Sequence, residues 1–248
     1  MAGTAVLGRL NWLAAKVTEV RPETERVRSI VFECPGWDGH MAGQHVDVRL
    51  TAEDGYQAQR SYSIGSAPED DHLVLTVERL QDGEVSPYLV DVLQAGDQLE
   101  MRGPIGRYFV WEESMGGPLL MIAGGSGIVP FRAMLRHRVA AHSAVPTRLL
   151  YSARSFDEVI YREELAGLAA YDEIDIRFTL TRAQPIGWKG YSRRIDREML
   201  AEVSWSPEER PLVYICGPTS FVETAAGSLV ELGHDPTLIR TERFGPTS

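Results

Sequence analysis

The 248-residue sequence contains only two cysteines, Cys34 and Cys216. Two thiols cannot build a disulfide framework, and an iron–sulfur cluster of the usual kind needs about four thiolates. The scarcity of cysteine therefore predicts a protein of a reducing compartment, without an iron–sulfur cluster held by these residues.

Long apolar runs and positive charge are scarce as well. No window approaches the roughly 18 consecutive apolar residues of a membrane span. Arg9 interrupts the apolar N-terminal stretch, which therefore does not match an export signal. We expect a cytoplasmic protein without a membrane span. The net charge of −10 argues against nucleic acid as a partner.

The charge is distributed unevenly along the chain. Residues 1–112 carry 18 acidic and 10 basic side chains, whereas residues 113–248 carry 17 and 15. Within the second part, residues 176–197 hold six cations and a single carboxylate. This basic island is either a solvated face or a site for an anionic ligand.

The hydrophobic pattern changes near residue 113. Before it, short runs rich in Val, Ile, Leu and Thr alternate with turn sequences, which predicts an antiparallel β-barrel over 1–112 with one helix over 84–94. After it, apolar runs alternate with helix-like segments, which predicts a doubly wound α/β domain with a parallel sheet over 113–248.

The segment Arg60-Ser61-Tyr62-Ser63 carries the first candidate site. Side chains alternate along a strand, so Arg60 and Tyr62 share one face and the two serines share the other. A flavin nucleotide needs a cation for its phosphates, an aromatic platform for its ring and a hydrogen-bonding group near N5, and these residues offer all three. An ordinary edge strand with polar residues explains the segment equally well.

A second candidate, Asp82-Gly83-Glu84-Val85-Ser86, opens the predicted helix about 20 residues later. A helix N-terminus attracts an anion, Gly83 permits close backbone approach, and Ser86 adds a hydroxyl. A plain helix cap is the alternative. Taken together with residues 60–63, this segment is expected to form the second side of a pyrophosphate site.

A glycine-rich turn follows the first strand of the predicted α/β domain. Gly125, Gly127 and Pro130, preceded by Gly124, give the spacing GxGxxP between a strand and a helix. Glycines let the backbone turn beside a phosphate, and proline suits the first turn of a helix. The proline departs from the usual dinucleotide fingerprint, and a glycine-rich connector is the alternative.

Residues at the ends of the next two strands indicate the preference between NADH and NADPH. The usual fingerprint places an acid after the second strand to bind the ribose 2′-hydroxyl, but Arg154 stands there instead. The third strand runs into Thr181 and Arg182, followed by Lys189 and Tyr191 in the basic island. These cations favour NADPH over NADH.

Two further motifs lie in the last part of the chain. Cys216-Gly217-Pro218 ends an apolar strand, where a cysteine points into the ligand crevice of an open parallel sheet unless it is simply a small buried residue. The C-terminal segment 240–244 is strand-like and ends in Phe244, which predicts an ordered end of the domain.

Together these motifs resemble the ferredoxin–NADP reductase superfamily across nearly the whole chain. The motifs occur in the order RxYS (60–63), GxxS (83–86), GxGxxP (125–130), CGP (216–218) and ExF (242–244). The resemblance implies an N-terminal FAD-binding Greek-key barrel and a C-terminal NAD(P)-binding domain, with flavin and nicotinamide meeting between them.

The resemblance also implies roles on the flavin side. Arg60 would bind the flavin phosphates, Tyr62 would stack on the isoalloxazine, and Ser63 would lie near N5. Phe244 would cover the opposite face of the flavin until nicotinamide enters. The residues implied in FAD binding are Arg60, Ser61, Tyr62, Ser63, Val77, Gly83, Val85, Ser86 and Phe244.

On the nicotinamide side, the resemblance places Cys216 near C4 of the ring and Glu242 at the site of hydride transfer. With Ser63 they form the implied catalytic set. Thr181, Arg182, Lys189 and Tyr191 resemble a clamp for the 2′-phosphate of NADPH. The residues implied in NAD(P)H binding are Gly124, Gly125, Gly127, Pro130, Arg154, Thr181, Arg182, Lys189, Tyr191, Gly217 and Pro218.

The implied activity is an NAD(P)H-dependent flavoprotein reductase. Hydride would pass from nicotinamide to FAD, and single electrons would then leave for a separate ferredoxin or partner oxygenase. The acidic barrel differs from that of members that dock acidic ferredoxins through a basic face. The alternatives are a direct reductase of free flavin, quinones or nitro compounds, and a non-catalytic nucleotide-binding module. No metal site is predicted.

Overall fold

The computed structural model describes residues 10–245, which begin with a six-stranded antiparallel sheet. Its strand order, β4-β3-β6-β1-β2-β5, is that of a Greek key. A bridge between Ile64 and Leu75 joins the two edges, so the sheet closes into the predicted barrel. The strands are β1 (Leu13–Thr24), β2 (Val27–Glu33), β3 (His45–Thr51), β4 (Gln57–Ser63), β5 (Leu73–Glu78) and β6 (Gln98–Ile105).

The helix predicted over 84–94 is wrong in its extent. Only a short π-helical turn, Tyr88–Val92, forms, and Pro87 precedes it. The hydroxyl of Ser86 does not cap this turn but accepts a hydrogen bond from the backbone N–H of Leu80 (3.0 Å). The hydroxyl of Ser86 therefore satisfies a backbone group of its own loop, and residues 79–86 are called the braced loop below.

The second sheet has five parallel strands in the order β11-β10-β7-β8-β9, which is the doubly wound order and confirms the predicted fold class. Its order reverses between β7 and β10, so the loops that leave the carboxyl ends of these two strands run in opposite directions and open a crevice. The strands are β7 (Leu119–Gly124), β8 (Thr147–Ala153), β9 (Ile174–Leu180), β10 (Leu212–Pro218) and β11 (Ile239–Phe244). The helices are α1 (Val129–Ala140), α2 (Arg162–Leu168), α3 (Arg197–Val203) and α4 (Thr219–Glu231).

The barrel and the parallel sheet share a core and several polar contacts. Phe109 and Trp111, which follow β6, are buried among side chains of the parallel-sheet region. Arg132 on α1 donates to the backbone carbonyl of Gly65 (2.8 Å), and the hydroxyl of Tyr214 donates to that of Val110 (2.7 Å). The two regions are thus held in a fixed relation. The boundary between 112 and 113 stays a prediction.

Among the described residues, no helix is long and apolar enough to cross a membrane.

Candidate functional site

A cleft of about 540 Å³ lies at the switch point of the parallel sheet, within the size range of cofactor sites. Gly124 and Gly125 line it from the end of β7, and Phe244 lines it from the end of β11. The turn between β1 and β2 lines it from the barrel, through Thr24 and Arg26. The cleft therefore lies between the two predicted cofactor domains.

The glycine-rich turn is shaped by close packing as well as by its backbone angles. A Cβ on Gly127 would lie 2.1 Å from the carbonyl oxygen of Cys216, so only glycine lets the turn pack on β10. Gly125 has a φ of +56°, in the left-handed region that glycine adopts without strain. Pro130 lies at the start of α1, as predicted. The hydroxyl of Ser126 ties the turn to the barrel through Glu78 (2.8 Å).

The predicted catalytic residues converge where the two sheets meet. Ser63 ends β4, and the β3–β4 register places it opposite His45. The Nδ1 atom of His45 lies 3.9 Å from Oε1 of Glu242. Glu242 is in turn opposite Cys216 in the β10–β11 register. Strand pairing within each domain and one contact across the junction thus bring all three predicted residues into one neighbourhood.

His45 is a residue of this junction that sequence reasoning missed. It lies at the first position of β3, and its ring packs beside Gly106, where an added Cβ would come within 3.4 Å of Nδ1. The sequence signal was a histidine at the start of a strand that pairs with the strand carrying Ser63. Only the β3–β4 register, which the sequence does not state, connects the two.

The junction carries little charge near neutral pH. Burial raises the pKa of Glu242 to about 7. Burial, with the Glu242 carboxylate beside it, raises the pKa of the Cys216 thiol well above its ordinary value. Burial also lowers the pKa of His45. The thiol is therefore protonated and the imidazole neutral at pH 7, while Glu242 can hold or release a proton there.

The alternation predicted for residues 60–63 is present in the register of β4. Ser61 lies opposite Asp47 and donates its hydroxyl proton to Oδ1 of that residue (2.7 Å), so its role toward FAD stays a prediction. Tyr62 is half-buried against the barrel core, and burial raises its pKa. Arg60 is exposed, and its Nη2 donates to Oε2 of Glu84 (2.7 Å).

Three residues of the predicted FAD set are turned inward. Val77 and Val85 are fully buried in the barrel core, so only their backbone atoms can face a cofactor. Ser86 is buried too, with its hydroxyl engaged at Leu80 as described above. Of the predicted pair Gly83 and Ser86, the glycine backbone is therefore better placed than the serine side chain to meet a phosphate.

The predicted 2′-phosphate residues fall into two groups. The ends of β8 and β9 lie together, because the N–H of Arg182 donates to the carbonyl of Arg154 (2.8 Å) and Thr181 lines the same cleft. Tyr191, by contrast, donates its hydroxyl to Glu202 near the end of α3 (2.8 Å). Its ring packs with the core on that side of the sheet.

The remaining predicted residues and one unpredicted cation complete the cleft. Pro218 lines it, and Gly217 packs so tightly that an added Cβ would lie 2.8 Å from the ring of Phe221. Lys189 is exposed in the loop after β9. Sequence reasoning missed Arg26, which reaches the cleft from the barrel and donates to the carbonyl of Arg79 (2.9 Å).

These residues fit the two cofactors that the motifs imply. The tight glycine turn at 124–127 leaves backbone at the mouth of the cleft. Arg26 and Arg154 supply cations for phosphates, in a lining that also holds the carboxylates of Glu25, Glu78, Asp157 and Glu158. The rim of β4 presents a guanidinium, an aromatic ring and a hydroxyl within one strand. The donor set therefore suits a flavin nucleotide on the barrel side and a second nucleotide in the cleft.

Comparison with known families matches both regions. Residues 14–110 match the oxidoreductase FAD-binding domain, and residues 121–227 match the oxidoreductase NAD-binding domain. The first span follows the barrel, and the second covers four of the five strands of the parallel sheet and ends before β11.

Individual relatives cover most of the chain. Ferredoxin–NADP reductase B of Sorangium cellulosum is 34% identical over 241 residues, covering 93% of this chain and 96% of the relative. The glycine betaine monooxygenase reductase subunit of Pseudomonas aeruginosa is 32% identical, covering 94% of this chain and 64% of the relative. The solved FAD/NAD binding domain of nitric oxide dioxygenase from Vibrio cholerae superposes with a TM-score of 0.83 at 27% identity, covering 94% of this chain and 99% of that domain.

Proposed function

Since this chain belongs to the ferredoxin–NADP reductase superfamily, and is an oxidoreductase with FAD-binding and NAD-binding domains, we propose that it takes electrons from NADPH and passes them singly to a separate protein acceptor. The observation that carries the proposal is the junction itself. In it, Ser63 of the barrel pairs with His45, His45 lies 3.9 Å from Glu242 of the parallel sheet, and Glu242 is opposite Cys216.

Each side chain at the junction has a task that its surroundings allow. Tyr62 offers a platform held by the barrel core, and Ser63 offers a hydroxyl at the end of the same strand. Cys216 supplies a small protonated thiol at the end of β10, and Glu242 can hold a proton beside it. A bound flavin would supply the exchange between a two-electron donor and one-electron acceptors.

The acceptor we propose is a ferredoxin or an oxygenase component. The support comes from two relatives, one named a ferredoxin–NADP reductase and the other a monooxygenase reductase subunit. This chain spans 64% of the second relative, so that protein has further residues outside the match. With two cysteines among these 248 residues, an iron–sulfur carrier would draw its thiolates from outside them.

Steady-state turnover with NADPH distinguishes the acceptor classes. We expect a [2Fe–2S] ferredoxin to be reduced with a much higher kcat/KM than free flavin, a quinone or a nitro compound. Comparable values for ferredoxin and free flavin would favour a direct reductase of small molecules instead.

The donor preference rests on Arg154, which lines the cleft, and on Arg182, whose backbone N–H donates to the carbonyl of Arg154. A guanidinium bonded to a phosphate is worth about 1.5–3 kcal/mol, so Arg182→Ala is expected to raise the KM for NADPH about tenfold and leave that for NADH nearly unchanged. Arg194→Ala, an exposed cation of the same basic island, is the matched control. Equal effects of Arg182→Ala on both donors would remove the 2′-phosphate assignment.

A further inference from the structure

A single carboxylate joins the two segments predicted to bind the flavin phosphates. Oε2 of Glu84 accepts from Nη2 of Arg60 (2.7 Å), and Oε1 accepts from the hydroxyl of Tyr56 (2.9 Å). Arg60 belongs to β4, whereas Glu84 belongs to the braced loop that follows β5. The carboxylate therefore lies on the guanidinium that a flavin phosphate would need.

The contact is open to solvent and so can be exchanged. The side chain of Arg60 is 54% exposed and that of Glu84 is 50% exposed. Tyr56 is exposed as well, at 57%. Exposed ion pairs of this kind contribute at most about 1 kcal/mol, so an incoming anion of higher charge can replace the carboxylate.

Few other groups in the loop are available to bind an anion. The hydroxyl of Ser86 is buried and engaged with Leu80. An added Cβ on Gly83 would lie 2.7 Å from that hydroxyl, so the glycine keeps the loop tightly folded. The other cation of the loop, Arg79, donates to the carboxylate of Asp91 (2.7 Å). Arg60 is consequently the principal charged group for a phosphate here, and Glu84 is its competitor.

We propose that Glu84 is an internal anion that orients Arg60 before flavin binds and is displaced from it by the flavin phosphates. The inference rests on the proposed function, because it concerns the same flavin site. Binding a phosphate on Arg60 requires breaking the Arg60–Glu84 contact, and the free energy of that contact lowers the affinity for phosphorylated flavins specifically. Riboflavin, which has no phosphate, does not displace it.

Equilibrium binding to the flavin-free protein tests the proposal. Dissociation constants for FAD and riboflavin are measured by flavin fluorescence at low salt. Glu84→Gln keeps a carbonyl oxygen that accepts from Arg60, and its amide N–H can donate to the hydroxyl oxygen of Tyr56. The substitution removes the charge, and it is expected to tighten FAD binding about two- to fivefold. Riboflavin binding stays unchanged, and the gain for FAD shrinks as salt screens the exposed charges.

Two variants serve as controls. Glu53→Gln makes the same change in net charge on an exposed residue of the β3–β4 turn and leaves the FAD dissociation constant unchanged. Arg60→Ala weakens FAD binding about tenfold or more, because it removes the charge-assisted bond. Unfolding in urea confirms that each variant is folded.

The proposal is overturned if Glu84→Gln leaves FAD binding unchanged or weakens it while the wild-type protein binds FAD. It is also overturned if Glu53→Gln tightens binding equally, since net charge alone would then explain the gain. If the wild-type protein binds neither FAD nor riboflavin, the proposed function fails with it.

Discussion

The two sides of the site are built by different means. The barrel contributes the side chains of residues 60–63 from one strand end, and of these only Tyr62 packs against the core. The parallel sheet contributes glycine turns whose backbone approaches β10 too closely for any side chain. Substitutions on the barrel side are expected to change binding with little effect on folding. Substitutions in the glycine turns are expected to act first on folding.

The largest expected effect falls on the glycine side. Gly127→Ala would place a Cβ 2.1 Å from the carbonyl oxygen of Cys216, and a backbone neighbour cannot rotate away. We expect a loss of at least about 4 kcal/mol in the free energy of unfolding, or failure to fold. Thermal unfolding followed by circular dichroism measures the loss.

Gly227→Ala in α4 is the matched control for that change. An added Cβ at this exposed helical position would meet nothing within 4 Å. We expect a gain of about 0.5–1 kcal/mol from better helix propensity. Equal destabilisation by the two substitutions would contradict the packing account of Gly127.

A smaller effect is expected from the proton on Glu242. Burial raises its pKa to about 7, above the ordinary value of 4.5 that the unfolded chain has, so the folded state keeps this proton longer. The free energy of unfolding therefore falls as pH rises from 4.5 through 7, because the folded state must then bury a charge. Glu242→Gln removes that loss.

From pH 5 to pH 8, the free energy of unfolding of the wild type is expected to fall by about 1–3 kcal/mol more than that of Glu242→Gln, after allowing for the partial exposure of the side chain. Urea unfolding of both proteins at both pH values measures this difference. The other titrating groups are the same in the two proteins, so their contributions cancel. Parallel pH curves for the two proteins would show that Glu242 titrates normally.

The smallest effects are expected for single junction side chains. Ser63→Ala and Cys216→Ala remove one hydroxyl and one thiol, each of which contributes about 1 kcal/mol in a typical polar contact. Flavin reduction by NADPH is expected to slow up to about tenfold in each variant, with little loss of bound flavin. Stopped-flow absorbance measures the rate, and unchanged rates in both variants would remove the assigned roles.

Local pattern was enough to predict much of this molecule. Neighbouring residues alone indicate the alternation of residues 60–63, the glycine turn at 124–127 and the apolar strands. The predicted barrel followed by a parallel sheet is confirmed. Chain order also placed Cys216 and Glu242 at the ends of strands that prove to be adjacent.

What the sequence could not predict depends on contacts between distant segments. The register of β3 with β4 brings His45 to the junction, and the braced loop puts Glu84 on Arg60. The inward turn of Ser86 arises from a backbone group six residues away, which outweighed its helical capping preference. Each of these outcomes was decided by packing rather than by local propensity.

The central claim is that the junction passes electrons from a nicotinamide to a flavin held by this chain. Its most direct test is the visible absorption spectrum of the purified protein, reconstituted with FAD where needed, during anaerobic titration with NADPH and separately with NADH. We predict loss of the oxidised flavin absorption with about one equivalent of NADPH. The same loss is expected to need more than one equivalent of NADH. A protein that cannot be reconstituted with flavin, or a flavin spectrum that neither donor changes, would contradict the account.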